Sequence, residues 1–411
     1  VPLDLDLPEF EGRLSQRGPG MLAGKLAFGP GNARFGQAPP LSLSTTMDLA
    51  IRDGVFSIES ARLRGPKTDL VYRGQLHLTP RIRAELELSG NLDLEIVDRH
   101  VLLTDFDLRG AGHFQGWARI EGSRLRLGGR LSGTDGAFDG IAVSRYSGDV
   151  GWDAEGVHLR TFSASFLDGA GVLDVDVPPK PAEVTLRATL TGVDAERLAA
   201  YVFDLGLPGL GGGATGEVAL RWPRGSVRSL TGTLGLELAP RADGRTPLEG
   251  RVVWHARQGT QFVDEATLRT PESEVALAGR IDVGGATDLR VEASSRDLRA
   301  SDVLGVRVRE ALRVAGVEPG GWSGSGTFQG AWRGTLAEPV FQGRFTGQQV
   351  GFLGVNWGRA EWTGASEPQR IRMDSLVVRK DGAELRRGAE RMPRHRAAEN
   401  ARPRVLLREP L

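Results

Sequence analysis

Two stretches of this chain, far apart in the sequence, repeat each other. Gly112–Leu131 (GHFQGWARIEGSRLRLGGRL) aligns without a gap with Gly326–Phe345 (GTFQGAWRGTLAEPVFQGRF) at an offset of 214 residues. Seven of the twenty positions are identical, namely Gly112/Gly326, Phe114/Phe328, Gln115/Gln329, Gly116/Gly330, Arg119/Arg333, Gly129/Gly343 and Arg130/Arg344. Self-similarity on this scale indicates that one supersecondary unit has been copied along the chain.

A second pair of segments supports the repeat. Arg64–Leu78 (RGPKTDLVYRGQLHL) aligns without a gap with Arg269–Val283 (RTPESEVALAGRIDV) at an offset of 205 residues, with Arg64/Arg269, Pro66/Pro271 and Gly74/Gly279 identical. Both offsets equal two steps of roughly 105 residues. We therefore predict units that begin near residues 24, 112, 216 and 324, the last of them incomplete.

Composition narrows the class of protein. The 411 residues include 57 glycines and only 6% aromatic residues, which is typical of many short strands joined by turns. The formal net charge of zero argues against a nucleic-acid partner, because phosphate binding requires an excess of cations. The chain has no cysteine, which excludes disulfides, thiolate catalysis and zinc–thiolate sites.

Apolar and polar residues alternate along most of the chain, as in strands with one apolar and one wet face. Such sets include Leu76/Leu78, Ala84/Leu86/Leu88, Leu92/Leu94/Ile96, Leu173/Val175/Val177, Val184/Leu186/Ala188/Leu190, Val218/Leu220/Trp222, Leu234/Leu236/Leu238 and Leu289/Val291/Ala293. Turn residues separate them at roughly 8–12-residue spacing, which favours antiparallel hairpins. Helical patterns are confined to residues 194–202 and 301–311, at the ends of repeats.

These patterns predict an all-β protein. Residues 1–385 are expected to form an elongated, repetitive antiparallel sheet folded into a trough, with short helices between repeats, because an apolar sheet face must be covered. A closed barrel and a sandwich would also cover it. Residues 386–411 lose the alternation and are rich in arginine. A shift of reading frame and a disordered basic tail both explain this break; we favour the frame shift, because the break falls inside a repeat.

The motifs that could indicate catalysis or metal binding have simpler structural explanations. Gly211–Gly216 satisfies G-x-G-x-x-G, but these glycines follow a predicted helix and open a strand, the reverse of a dinucleotide site, so a flexible linker is expected. The six histidines are scattered, and a solvated strand face explains the D-x-D pairs Asp4/Asp6, Asp105/Asp107 and Asp174/Asp176. We expect no enzyme activity, no metal and no cofactor.

The segment from Gly326 to Gly343 resembles a known family. It contains Gly334-Thr-Leu336-Ala-Glu-Pro339-Val-Phe341-Gln-Gly343, which is similar to the recurrent G-x-L-x-x-P-x-hydrophobic-x-G segment of the TamB and AsmA-like proteins. Residues 351–362 (GFLGVNWGRAEW) fit the strand that usually follows it. The resemblance extends over residues 20 to 385 as a pattern of glycines and alternation, without catalytic residues.

The resemblance implies a protein of the diderm bacterial periplasm, with a β-taco that carries phospholipid acyl chains in its apolar trough. It also implies an anchor in the inner membrane, an outer-membrane partner of the BamA or TamA type, and a part in outer-membrane protein assembly and secretion. This sequence begins at Val1 without a membrane anchor, so we expect an internal fragment. The main alternative is a structural or adhesive β-repeat protein with a closed, dry core.

Alternation selects the residues that would line such a trough. The predicted lipid-groove wall consists of Leu76, Leu78, Leu86, Leu88, Leu173, Val175, Leu186, Val218, Leu220, Trp222, Leu234, Leu236, Leu289 and Val291. Their sequence neighbours, such as Arg221 and Glu237, are expected to point to water. Trp117, Trp222 and Trp332 fall at comparable places in three units, where their rings would either line the channel or pack in the core.

Overall fold

The computed structural model describes residues 3–6, 10–35, 41–77, 81–99, 107–122, 124–179, 182–203, 209–226, 229–311, 320–335, 338–352, 354–367 and 370–393. Strands hold 77% of the residues and helices 7%, and the sheet is antiparallel with short helices between repeats. The predicted all-β class is therefore confirmed. The alternating patterns that predict strands correspond to strands almost everywhere.

The strands follow one another with few interruptions. In chain order they are β1 (Leu3–Asp6), β2 (Phe10–Gly18), β3 (Met21–Phe35), β4 (Leu41–Arg52), β5 (Val55–Gly65), β6 (Thr68–His77), β7 (Arg83–Asp93), β8 (Leu108–Arg109), β9 (Ala111–Glu121), β10 (Arg124–Phe138), β11 (Ile141–Asp153), β12 (Gly156–Phe166), β13 (Gly169–Val177), β14 (Glu183–Asp194), β15 (Leu210–Pro223), β16 (Thr231–Pro240), β17 (Thr246–Pro247), β18 (Glu249–Arg257), β19 (Thr260–Arg269), β20 (Ser273–Ile281), β21 (Ala286–Ser295), β22 (Ser323–Thr335), β23 (Pro339–Phe352), β24 (Val355–Glu367), β25 (Arg370–Lys380) and β26 (Ala383–Pro393). Three helices interrupt them, α1 (Leu94–Val97), α2 (Ala195–Phe203) and α3 (Leu298–Ala311).

Contacts between residues divide the chain into two units. Unit 1 comprises Val1–Leu190 and Ala219–Val227. Its strands pair antiparallel in chain order from β2 to β7, then β7 pairs with β9, and the order continues to β13. Two apolar clusters lie on one face of this sheet, one around Phe114 and Tyr146 and the other around Val177 and Val184.

Unit 2 comprises Thr191–Val218 and Arg228–Leu411. Here β16 pairs with β18, and antiparallel pairing then continues in chain order to β26, while the short β17 lies parallel to the start of β15. Leu298 of α3 and Trp322, which directly precedes β22, pack against an apolar cluster around Val350, Ala360 and Val378.

The first repeated pair of segments forms two hairpins with the same register. Gly116 of β9 lies opposite Gly129 of β10, and Gly330 of β22 lies opposite Gly343 of β23. The aromatic ring two residues before the first glycine covers each pair. A Cβ atom at Gly116 or Gly129 would lie 2.6 or 2.9 Å from Cζ of Phe114. The shared Phe-Gln-Gly and Gly-Arg residues thus place the Cζ atom of a ring over two paired glycines.

The second repeated pair provides the turns on which helices dock. In β5–β6, Lys67 Nζ lies 3.2 Å from Glu95 of α1, and Thr68 Oγ1 accepts the backbone N–H of Asp93. In β19–β20, the Glu272 carbonyl accepts the N–H of Arg296 at 2.9 Å, and Ser273 Oγ lies 2.6 Å from Ser301 Oγ of α3. The turn that contains the shared proline therefore holds the helix that ends the repeat.

Each of the three described helices begins at an aspartate, and of these the sequence pattern indicates only Asp194, at the start of the predicted helix 194–202. Asp93, Asp194 and Asp297 accept the N–H groups of Glu95, Arg197 and Arg299 at 3.1, 3.0 and 2.9 Å respectively. Side-chain oxygens at this position satisfy donors that the first helical turn leaves free. This cap explains why α1 replaces the predicted strand through Leu94 and Ile96, since β7 ends at Asp93.

Two further expectations were wrong. Gly211–Gly213 is not a flexible linker but a buried part of β15, whose Gly211 carbonyl accepts the N–H groups of Arg241 and Leu248. The irregular tail does not begin at residue 386, because β26 pairs with β25 as far as Pro393 opposite Arg370. Backbone hydrogen bonds sustain that strand without apolar alternation. Residues 394–411 lie outside the described residues.

Candidate functional site: the apolar face of the sheet

The two faces of the sheet differ in chemistry. On β7, Leu86 and Leu88 are half-buried and lie on the same face as the buried Ala84, whereas Glu85 and Glu87 are exposed on the other face. The same division holds on the other described strands that carry the alternating pattern. We call the two surfaces the apolar face and the polar face, and we use these names for each unit by itself.

Cross-strand ion pairs line the polar face. Arg73 pairs with Glu87 at 2.7 Å in unit 1, and Arg251 lies 3.5 Å from Glu237 in unit 2. Glu361 of β24 has three arginines within 4.0 Å, namely Arg344, Arg359 and Arg379. Exposed pairs contribute about 0–1 kcal/mol each, so they keep this face soluble more than they stabilise it.

Nearly all the predicted wall residues lie on the apolar face, but they differ in burial. Leu234, Leu236, Leu289 and Val291 in unit 2 are buried, with 3–8% of their surface exposed. The other described wall residues are half-buried, namely Leu76, Leu86, Leu88, Leu173, Val175, Leu186, Val218, Leu220 and Trp222. Leu78 lies outside the described residues. The sheet therefore leaves these nine side chains only partly exposed to solvent.

Two phenylalanine rings on the apolar face lie close to glycine residues of the sheet. Phe328 covers Gly330 and Gly343, where a Cβ atom would lie 2.8 and 2.9 Å from its Cζ. Phe345 covers Gly326 and Gly347 in the same way, with a Cβ at Gly347 2.9 Å from its Cζ. Phe345 also packs against the apolar cluster around Val350, Ala360 and Val378.

The three comparable tryptophans do not share one role. Trp222 packs against the cluster around Val177 and Val184, and Trp332 lies opposite Leu289 on the apolar face. Trp117 lies on the polar face, 40% exposed, with the Arg119 guanidinium 4.9 Å from its ring centroid. Trp117 aligns with Ala331 rather than with Trp332, and one residue of offset moves a strand side chain to the opposite face.

Of the aspartates in the D-x-D pairs, Asp107, Asp174 and Asp176 have structural partners, and Asp105 lies outside the described residues. Asp174 accepts the N–H of Thr161 at 2.7 Å, and Asp176 lies 2.6 Å from Nδ1 of His158 and also pairs with Arg160. The part of the chain that the structure describes contains no cluster of three or more metal-binding side chains. Asp4 and Asp6 lie in β1.

An ion cluster around the buried Asp194 in unit 2 was not predicted from the sequence. Asp194, only 1% exposed, lies 2.5 Å from Nη2 of Arg245 and 3.5 Å from Nη1 of Arg241. Arg245 also pairs with Glu196 at 2.8 Å and with Asp243 at 2.5 Å. The cluster ties the start of α2 to the segment between β16 and β18. Asp194 and Glu196 lie 45 to 51 positions before Arg241 and Arg245, so no local spacing signals the cluster.

These neighbours lower the pKa of the Asp194 carboxyl group. Burial is the largest single influence and raises the pKa of Asp194. Hydrogen bonds from Arg245 and from the N–H of Arg197, together with the charges of Arg245 and Arg241, lower the pKa by more than burial raises it. The net pKa lies below the ordinary value, so the carboxylate is ionised at neutral pH. Hydrogen bonds to Asp243 and Asp194 raise the pKa of Arg245.

Comparisons with protein families, with curated proteins and with solved structures find no match for this chain. Within the described residues, every helix is too short or too polar to cross a membrane.

Proposed function

We propose that the apolar face binds phospholipid acyl chains and conducts lipid along the sheet, in a protein of envelope biogenesis. The observation that supports this proposal is the partly exposed apolar face, which repeats on successive strands while the opposite face carries ion pairs. Large exposed apolar surfaces on soluble proteins mark sites for apolar partners. A phospholipid presents acyl chains to such a face and leaves its head group in water.

An apolar face without a specific pocket favours a ligand whose binding free energy grows with the length of its chain. Each CH₂ group removed from water contributes about 0.8 kcal/mol, so a long chain gains affinity from many weak contacts. Low-lying rings and glycine pairs present few obstacles to a chain that slides across strands. Such a surface suits movement, because no single contact holds the ligand strongly.

The compartment and partners of the proposal rest on the sequence resemblance to the TamB and AsmA-like proteins. In that proposal the protein works in the periplasm, the inner membrane anchors the parent chain, and a BamA- or TamA-type protein receives lipid at the outer membrane. Support of outer-membrane protein assembly and secretion would accompany lipid transport. Antibody detection of the full-length protein in fractionated cells, with and without spheroplast lysis, tests the compartment.

A second candidate function is a structural or adhesive β-repeat with a dry core. The buried side chains of Leu234, Leu236, Leu289 and Val291 favour this candidate for part of unit 2. An aspartate at Leu236 would destabilise the fold under either function, because the site is already packed. Half-buried wall positions therefore distinguish the two functions better than buried ones.

Site-specific crosslinking decides between these candidates. A photo-activated amino acid at Leu220, on the apolar face of β15, should capture phospholipid in cells, because acyl chains would contact it. The same amino acid at the adjacent, exposed Arg221 provides the matched control and should capture none. Equal lipid capture at both positions, or none at Leu220 in a folded protein, would overturn the lipid-binding function and support the structural one.

A further inference from the structure

One rim of the sheet in unit 1 brings accessible apolar side chains next to arginines. The last row of the apolar face before this rim crosses four strands, and we call it the last apolar row; its members lie opposite one another in the register and are Leu76, Ala84, Ile120 and Leu125. Ala84 is buried and the other three are half-buried. Ile82, two residues before Ala84, continues the apolar face towards the rim and is 48% exposed.

The next row, at the ends of the same strands, is charged. We call it the rim row; it consists of His77, Arg83, Glu121 and Arg124, with the exposed Arg81 beside it. In the described part of the chain, the guanidinium groups of Arg81, Arg83 and Arg124 have no ion-pair partner within 4.0 Å. Three arginines and one glutamate leave an excess of two positive charges at this rim.

Ion pairs nearby show how the chain neutralises an arginine when it supplies the anion itself. Arg73 of β6 lies 2.7 Å from Glu87, and Arg109 of β8 lies 2.9 Å from Asp107. The rim row differs from these positions because its cations outnumber its carboxylates and lie one residue from accessible apolar surface. A ligand that joins an anion to an apolar chain matches both features.

The spacing of the arginines suits a phosphate group. Arg83 of β7 and Arg124 of β10 lie on the two sides of β9, so their Cα atoms are roughly 10 Å apart. Their long side chains can reach one phosphate from both sides, and a guanidinium binds phosphate oxygens through two parallel hydrogen bonds. Arginine stems also cover apolar surface while the charged ends stay in water.

We infer that Arg81, Arg83 and Arg124 bind the phosphate of a lipid whose acyl chains lie on the last apolar row, and that anionic phospholipids bind here more tightly than zwitterionic ones. The inference rests on the proposed lipid-binding function and specifies its substrate class. Phosphatidylglycerol keeps one net negative charge, whereas the quaternary ammonium of phosphatidylcholine neutralises its phosphate. Charge complementarity at the rim row therefore favours phosphatidylglycerol.

Two short-chain lipids test the inference. Dihexanoyl phosphatidylglycerol and dihexanoyl phosphatidylcholine have the same chains and differ only in the head group. Below their micelle concentrations and at low ionic strength, the native protein should bind the glycerol lipid roughly fivefold more tightly, and about 0.5 M salt should remove most of the difference by screening exposed charges. Glycerophosphoglycerol has the anionic head group without chains and should bind far more weakly than the lipid. Equal affinity for it would make the rim a site for free phosphate esters and overturn the role of the last apolar row.

Variants at exposed positions, where the fold tolerates substitution, locate the effect. The double variant Arg83→Gln, Arg124→Gln should bind the two lipids equally, whereas Arg73→Gln, which removes an ion-paired arginine, should keep the preference. Ile82→Gln should weaken binding of both lipids. Val71→Gln, on the polar face and similarly exposed at 46%, is its control and should weaken neither.

The outcomes separate the head-group role from lipid binding itself. Equal binding of the two lipids by the native protein, or a preference that survives in the double variant, would overturn the role of these arginines and leave lipid binding intact. Binding of neither lipid by the native protein would overturn the lipid-binding function.

Discussion

Asp194 and Arg245 determine how α2 is held in unit 2. The Asp194 carboxylate is 1% exposed, and Arg245, at 2.5 Å, is the main cation that offsets the cost of burying its charge. Removal of one partner of a buried pair leaves an uncompensated charge, so Arg245→Met should lower the free energy of unfolding by about 3 kcal/mol. Urea denaturation measures this. Arg251→Met, which removes an exposed pair with Glu237, is the control and should cost about 0.5 kcal/mol or less.

The same carboxylate predicts a dependence on pH. Its folded pKa lies below the ordinary value of 3.8, so its stabilising contribution is complete above about pH 5 and is lost as the pH falls through the folded pKa. Asp194→Asn should be less stable than the native protein at pH 7, and the difference should shrink below pH 4. An unchanged difference between pH 7 and pH 3 would show that folding does not shift the pKa of Asp194.

At the scale of elements, an aspartate caps each described helix, and turns with a shared proline hold α1 and α3. Asp297 accepts the N–H groups of Arg299 and Ala300, and α3 contacts the β19–β20 turn through Ser301. Asp297→Ala should destabilise α3 by about 1 kcal/mol and speed hydrogen exchange of its first amides. Asp288→Ala, which removes an exposed ion pair with Arg333, should leave that exchange unchanged. Equal exchange rates in both variants would rule out the cap.

The sequence was most informative about the secondary-structure elements. Alternation and the repeats predict the strands and the turn after Arg64, because period-two burial and proline turns are local properties. The start of α1 at Asp93 was missed because Leu92, Leu94 and Ile96 keep a strand-like spacing. The burial of Gly211–Gly213 and the cluster around Asp194 were missed because the 241–248 segment creates both, and no local pattern reports such distant contacts.

At the scale of the whole molecule, the two proposed functions differ in what covers the apolar face. A closed core is complete without ligand, whereas a lipid-binding face remains half-exposed until acyl chains cover it. Ligand that binds only the folded state stabilises it by an amount that grows with concentration, about 2.7 kcal/mol at one hundred times the dissociation constant. The stability of this protein should therefore depend on lipid.

Chain length makes that prediction specific. Phosphatidylcholines with six, seven and eight carbons per chain, each below its micelle concentration, should raise the midpoint of thermal unfolding in that order. Each added CH₂ group that is buried contributes about 0.8 kcal/mol to binding. Glycerophosphocholine carries the same head group without chains and should cause no shift. Leu220→Asp places a charge on the half-exposed face of β15 and should weaken the shift for every chain length, whereas Arg221→Asp on the polar face should not. A shift that is independent of chain length would attribute binding to the head group and contradict the apolar face as the lipid path.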